Sequence, residues 1–204
     1  MAGLLWWLGY IFLYAWRLPV TYQHGRYIMP AMPIYFLWGA IGMLFLIFWA
    51  TRSDTRMIIR SLGKVWVAST VIVLLLFWGL GAQSYGRDVG VIETEMVATA
   101  NWILENTLED DIIAAHDIGA IGYFTQREIV DLAGLVSPDV IPFIRDEDRL
   151  IAFMDESQVD YLVTFPAWYP SLIEEQEIRF KTSGIISPEI GGENMLVYRW
   201  PGGN

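Results

Sequence analysis

Ten residues, His24 to Pro33 (HGRYIMPAMP), bring an imidazole, a guanidinium and a phenol together just before two prolines three apart and a long apolar run. A guanidinium offers a planar fork of N–H donors that matches phosphate oxygens. Pro30 has no N–H and disfavours helix at Met29, so the spacing predicts a helix starting at or near Pro30, with Pro33 in its first turn. His24, Arg26 and Tyr27 then stand just outside a helix N-terminus, whose partial positive charge favours an anion. Two readings follow: contact with the phosphate of a lipid, or an interfacial anchor, since Arg and Tyr are common at membrane boundaries.

A second constellation is Asp117-Ile118-Gly119-Ala120-Ile121-Gly122, which follows the short apolar run Ile112 to Ala115. Open α/β sheets place ligands at the C-terminal ends of their strands. Gly119 and Gly122 permit close backbone approach, and Asp117 and Asp131 are candidate acceptors for the hydroxyls of a small ligand or sugar. The glycines lack the full dinucleotide-binding pattern, and no P-loop lysine follows. The same residues equally suit a short helix packed on the sheet and aspartates that cap turns. The chain has two histidines and no cysteine, which excludes a three-histidine zinc site, thiolate metal sites and disulfides within it. Glu109-Asp110-Asp111 and Asp146-Glu147-Asp148 lack the spaced loop of an EF-hand and suit solvated loops and helix starts. Phe165-Pro166-Ala167-Trp168-Tyr169-Pro170 suits stacking on a sugar, lying on a membrane surface or closing the core.

The elements that must position these groups divide by charge. Of 204 residues, 54% are apolar and ten are tryptophan, more than an ordinary soluble domain carries. Residues 1–84 hold six Arg/Lys and one acid, a net of +5, while the remaining 120 hold seven basic and 22 acidic residues, a net of −15. This predicts membrane helices over 1–84 and a small extracytoplasmic α/β domain over 85–204. The acidic balance argues against nucleic acid as a partner, while the apolar runs and the Arg26 stretch make membrane lipid an expected one. Leu4 to Trp16 is short for a span and reads as part of one; Ala31 to Ala50 and Val65 to Leu80 read as two more, about three in all. Arg52 to Lys64 carries four basic residues and one acid, so the positive-inside rule puts that loop in the cytoplasm and the His24 loop and everything after Leu80 on the other side. The expected product is a multi-pass membrane protein.

Beyond the spans, Gly79 to Gly90 contains four glycines and reads as a linker. Ile92, Met96, Ala100, Ile103 and Leu104 predict one amphipathic helix from Val91 to Thr107. Strands are expected at Ile112–Ala115, Glu128–Leu132 and Tyr161–Phe165, a short helix or turn at Gly119–Phe124 and a helix at Asp146–Glu156. That alternation predicts a parallel α/β layer domain. Phe180–Ser187 and Met195–Trp200, around Gly191-Gly192, predict a closing hairpin.

Arg26, Tyr27, Pro30 and Pro33 form an Arg-Tyr-x-x-Pro-x-x-Pro tract entering a membrane helix. It resembles the polytopic GT-C-type glycosyltransferases that use polyprenyl-phosphate sugar donors, among them protein mannosyltransferases and aminoarabinose transferases. The stretch DIGAIGYFTQREIVDLAGL, Asp117 to Leu135, is similar to the extracytoplasmic C-terminal domain of bacterial members of that group. The resemblance implies a lipid-linked sugar donor, a polyprenyl-phosphate sugar, as the small-molecule partner; the residues identify no other cofactor. It also implies location in the plasma membrane of a bacterium and an active site facing the extracytoplasmic side.

One departure is large. Such enzymes carry a catalytic acid in their first extracytoplasmic loop and have many more spans, whereas the only acid in residues 1–84 is Asp54, on the predicted cytoplasmic side. Inverting glycosyl transfer needs a carboxylate within reach of the acceptor hydroxyl. Asp88, Glu93 and Glu95 lie just past the last span and read as solvated linker and helix-start residues. The expectation is therefore the C-terminal portion of a transferase, without a catalytic residue of its own, completed by an N-terminal catalytic part or by a partner subunit. The alternative is a non-catalytic, membrane-anchored binding or assembly domain.

Overall fold

The structure, a computed structural model, describes residues 2–17, 26–51, 57–174 and 176–201. His24 and Asp54 lie outside the described residues. Two compact units divide between Gly79 and Leu80.

The first unit is helical. Its helices are α1 (Ala2–Arg17), α2 (Met32–Thr51) and the beginning of α3 (Met57–Val91), with a 3-10 turn at Arg26–Ala31 before α2. Pro33 sits in the first turn of α2, where its missing N–H costs nothing, and Pro30 falls in the 3-10 turn. Two helical segments are long and apolar enough to cross a membrane, Arg26–Trp49 and the one that begins at Arg60. Their side chains point outward over most of their length, with Phe36, Phe45, Phe48, Phe77 and Trp78 exposed. At 16 residues, α1 is shorter than a span requires.

The second unit is a three-layer α/β domain. A π-helical turn at Ile92–Val97 leads into α4 (Ala98–Asn106), followed by β1 (Ile112–Ala115), α5 (Ile118–Thr125), β2 (Glu128–Asp131), α6 (Glu147–Glu156), β3 (Tyr161–Thr164), β4 (Glu177–Lys181), α7 (Ile186–Glu189) and β5 (Leu196–Arg199). The five strands lie in the order β2-β1-β3-β5-β4. β1 pairs in parallel with both β2 and β3, and the last two strands pair antiparallel.

Strands β1 and β3 are covered on both faces, which is why each is a short, nearly uniform apolar run. Alternation splits their side chains. Ala114, Leu162 and Tyr198 point toward α6 and pack with Leu150, Met154 and Trp200. Ile113, Val163 and Val197 point the other way and pack with Ala100 and Ile103 of α4 and Ile121 of α5. Asp146 starts α6 by accepting a hydrogen bond from the Arg149 N–H at 3.2 Å.

Three expectations for this half are corrected. Gly79–Gly90 is not a linker, because helix α3 runs through it to Val91. Its last glycine is a packing position: a Cβ on Gly90 would collide with the Cδ1 of Ile186. The predicted helix 91–107 is interrupted by the π-helical turn, whose wider winding carries Thr94 and Glu95. The first arm of the hairpin begins earlier than expected, at Glu177, and Ile186–Glu189 is a helical turn.

Candidate functional site

Arg26 and Tyr27 open the 3-10 turn that leads into α2. The guanidinium donates to the Tyr27 hydroxyl at 3.3 Å and lies 5.1 Å from that ring's centroid. Tyr27 is held in turn by α1: the Tyr10 hydroxyl donates to the Tyr27 carbonyl at 2.9 Å, and the rings of Tyr14 and Tyr27 stack at 6.0 Å. Trp6, Tyr10 and Tyr14 lie one helical turn apart, Trp6 stacked on Tyr10 at 5.2 Å and Tyr10 tilted against Tyr14 at 4.7 Å, so one aromatic face of α1 supports Tyr27 beneath the arginine. Sequence reading passed over Tyr10 and Tyr14, although their four-residue spacing was there to find. Arg26 is exposed and makes no ion pair among the described residues.

The second constellation sits where the sheet changes direction. From β1 the chain crosses to β2 on one side and then returns to β3 on the other, so the C-terminal ends of β1 and β3 flank a topological switch point. His116-Asp117 follows β1, and the loop Phe165 to Tyr169 follows β3. The structure joins them: His116 Nδ1 and the Tyr169 hydroxyl are 2.6 Å apart, and the His116 ring meets Trp168 at a tilt of 66° with centroids 4.7 Å apart. Burial, reinforced by the carboxylates of Asp131, Glu147 and Asp117, pushes the Tyr169 phenol up to about 12. The phenol therefore keeps its proton and shares one hydrogen bond with Nδ1, whose direction follows the imidazole tautomer. The other ring nitrogen, Nε2, is left as a donor or an acceptor according to that tautomer.

Asp117 is half-buried, and burial holds its carboxyl above the usual carboxylate range, with His116 pulling the other way. It precedes α5 without capping it, and no described residue donates a hydrogen bond to it. Asp131 differs. It is fully buried and accepts from the backbone N–H groups of Ala133 at 2.8 Å, Val136 at 2.6 Å and Ser137 at 3.4 Å. Its carboxylate is used in building the turn after β2, which leaves Asp117 as the acceptor with open capacity. Gly122 lies against the sheet, where an added Cβ would meet Ile129 at 3.7 Å, whereas Gly119 faces open space.

A family model described as "Domain of unknown function (DUF8728)" matches residues 84–198, more than half of the chain. The chain belongs to the DUF8728 family. No curated protein matches it at significant similarity. The DUF8728 region takes in the last two turns of α3 and nearly all of the α/β domain, including the β1–β3 switch point and the Glu95 site described next.

Glu95 corrects a further expectation. It is not a solvated helix-start residue: within the DUF8728 domain it is 0% exposed. Its carboxylate accepts from the Met195 N–H at 2.8 Å, from Asn194 Nδ2 at 3.1 Å and from the Thr182 hydroxyl. It thus ties the π-helical turn to the segment between β4 and β5. Gly184 is packed against it so tightly that a Cβ there would collide with Glu95 Oε1. A carboxylate that is fully buried and holds three internal donors is out of reach of an acceptor hydroxyl. Among the described residues, no group of three or more His, Asp or Glu side chains converges as a metal site would require.

Proposed function

We propose that this protein is part of a membrane glycosyltransferase that takes a sugar from a polyprenyl-phosphate donor, with Arg26 contacting the donor phosphate and Tyr27 orienting the guanidinium. The observation that carries this reading is the placement of Arg26. It stands at the head of a 24-residue apolar helical segment, braced on an aromatic shelf, with no carboxylate paired to it among the described residues. A guanidinium held at headgroup depth, with no carboxylate on it among the described residues, is suited to a lipid phosphate. His24, two residues earlier in sequence, is the second candidate for that contact. In this reading α1 completes a bundle of three membrane helices, Arg52–Lys64 faces the cytoplasm, and the α/β domain is extracytoplasmic, close to the acceptor. The base that deprotonates the acceptor comes from another catalytic segment or a partner subunit.

A second reading, a non-catalytic membrane-anchored domain, is favoured by one observation: Glu95 is fully engaged in structure, which leaves Asp88 and Glu93 as the remaining acids near the last apolar segment. Native mass spectrometry of the whole chain in nanodiscs containing a polyprenyl monophosphate tests the first reading. The wild type retains the lipid. Arg26→Ala retains about tenfold less, the scale of one lost charge-assisted hydrogen bond, and Arg26→Lys falls between. Equal retention by the wild type and Arg26→Ala refutes the phosphate contact.

A further inference from the structure

We propose that the cluster at the C-terminal ends of β1 and β3 is a carbohydrate-binding site, with Trp168 as the stacking platform and, through its indole N–H, a hydroxyl donor, Asp117 as a hydroxyl acceptor and His116 Nε2 as a further polar contact. It shares no residue with the Arg26 site, so either inference survives the failure of the other.

A pyranose presents an apolar face of C–H groups and a rim of hydroxyls that both donate and accept. A site for it needs an exposed aromatic face with a donor and an acceptor beside it, and this cluster supplies all three. Trp168 is 43% exposed, although the residue after it, Tyr169, is only 5% exposed. Phe165 and His116 touch Trp168 at steep angles, 61° and 66°, so neither ring stacks flat over it. Its indole N–H has no partner among the described residues. Asp117, adjacent in sequence to His116, has an unused carboxylate, and the Tyr169 hydrogen bond fixes the imidazole orientation.

The loop carrying Trp168 is clamped from both sides. Glu193 accepts from the Ala167 N–H at 2.7 Å. Glu147 of α6 accepts from the N–H groups of Ser171 and Leu172 at 2.8 and 3.0 Å. A tryptophan left half-exposed on a loop tied down by two carboxylates is preorganised, and preorganisation lowers the entropic cost of binding. The position agrees with where open α/β sheets take ligands, in the crevice at a switch point. The carboxylates of Asp117, Asp131, Glu147 and Glu193 disfavour an anionic ligand, so the sugar recognised is neutral or amino-substituted.

The test is saturation-transfer NMR on the full chain in nanodiscs free of glycoside detergent, with glucose, galactose, mannose and N-acetylglucosamine as sugar probes and choline as an amine probe. At least one sugar should receive saturation at its ring protons. Trp168→Ala should weaken that binding by about fivefold or more, in line with the loss of one aromatic contact. Trp168→Phe should keep most of it, and Asp117→Asn should weaken it without speeding amide exchange in β1 and β3. Three results overturn the proposal: no transfer to any of the sugars, equal transfer in Trp168→Ala, or transfer to choline alone, which would make this a cation site.

Discussion

Replacing Glu95 with alanine tests whether one buried carboxylate holds the π-helical turn to the β4–β5 segment. Its three donors do not lose equally. Asn194 Nδ2 also donates to the Gly184 carbonyl at 2.7 Å, and the Thr182 hydroxyl has the Met195 carbonyl at 3.3 Å as a second acceptor. The Met195 N–H has no other acceptor and is left unpaired in a site that Glu95 filled at 0% exposure. An orphaned buried N–H costs about 1–3 kcal/mol, and the lost charge-assisted bonds and the cavity add to it. A destabilisation of about 3 kcal/mol follows, which is roughly a hundredfold in an opening equilibrium. Hydrogen exchange followed by mass spectrometry on the full chain should show peptides covering Thr182 to Val197 exchanging about a hundredfold faster in Glu95→Ala. Glu95→Gln keeps one acceptor oxygen and should fall between. Exchange within about threefold of wild type in Glu95→Ala would refute the accounting, because Met195 would then have found another partner at little cost.

Other outcomes follow from the same contacts. Gly184→Ala places a Cβ against Glu95 Oε1, with the Thr94 hydroxyl at 2.7 Å and its Cβ at 2.9 Å, and should cost about 1–3 kcal/mol of domain stability, seen as a lower denaturation midpoint. Asp117→Asn should stabilise the domain at neutral pH by a small amount, under about 1 kcal/mol, because the group is only half-buried. The sign follows from linkage. A carboxyl whose folded pKa is raised above its ordinary 3.8 carries no penalty below that value, and stability is lost as pH rises through the folded pKa. The advantage of the asparagine variant should therefore vanish in acid, and denaturation midpoints that differ equally at pH 7 and pH 3 would contradict it.

The sheet was legible because its central strands are buried on both faces. Ile112–Ala115 and Tyr161–Thr164 are apolar runs that stop at polar or turn-forming residues, and Asp146 marks the start of α6. The glycines from 79 to 90 misled because glycine usually marks a break, and only the approach of Ile186 to Gly90 shows that one of them serves packing inside a helix. Glu95 read as a surface acid because its partners lie about a hundred residues further on, at Asn194 and Met195, and no local pattern announces a pairing at that distance. The switch-point cluster was half visible. Asp117 stood out beside its glycines, but the contact of His116 with Tyr169, 53 residues later, needed the sheet order to bring it about. Asp131 and Asp117 looked alike in sequence, and their hydrogen bonds separate a turn builder from an open acceptor.

The most direct test of the proposed function measures the pool of polyprenyl-phosphate-linked sugar in membranes of the producing cell, with and without this protein. The account predicts that lipid-linked sugar accumulates when the protein is removed, and accumulates to a lesser extent when Arg26→Ala replaces the wild type at normal abundance. An unchanged pool after complete removal would contradict it and leave the membrane-anchored binding domain as the reading to pursue.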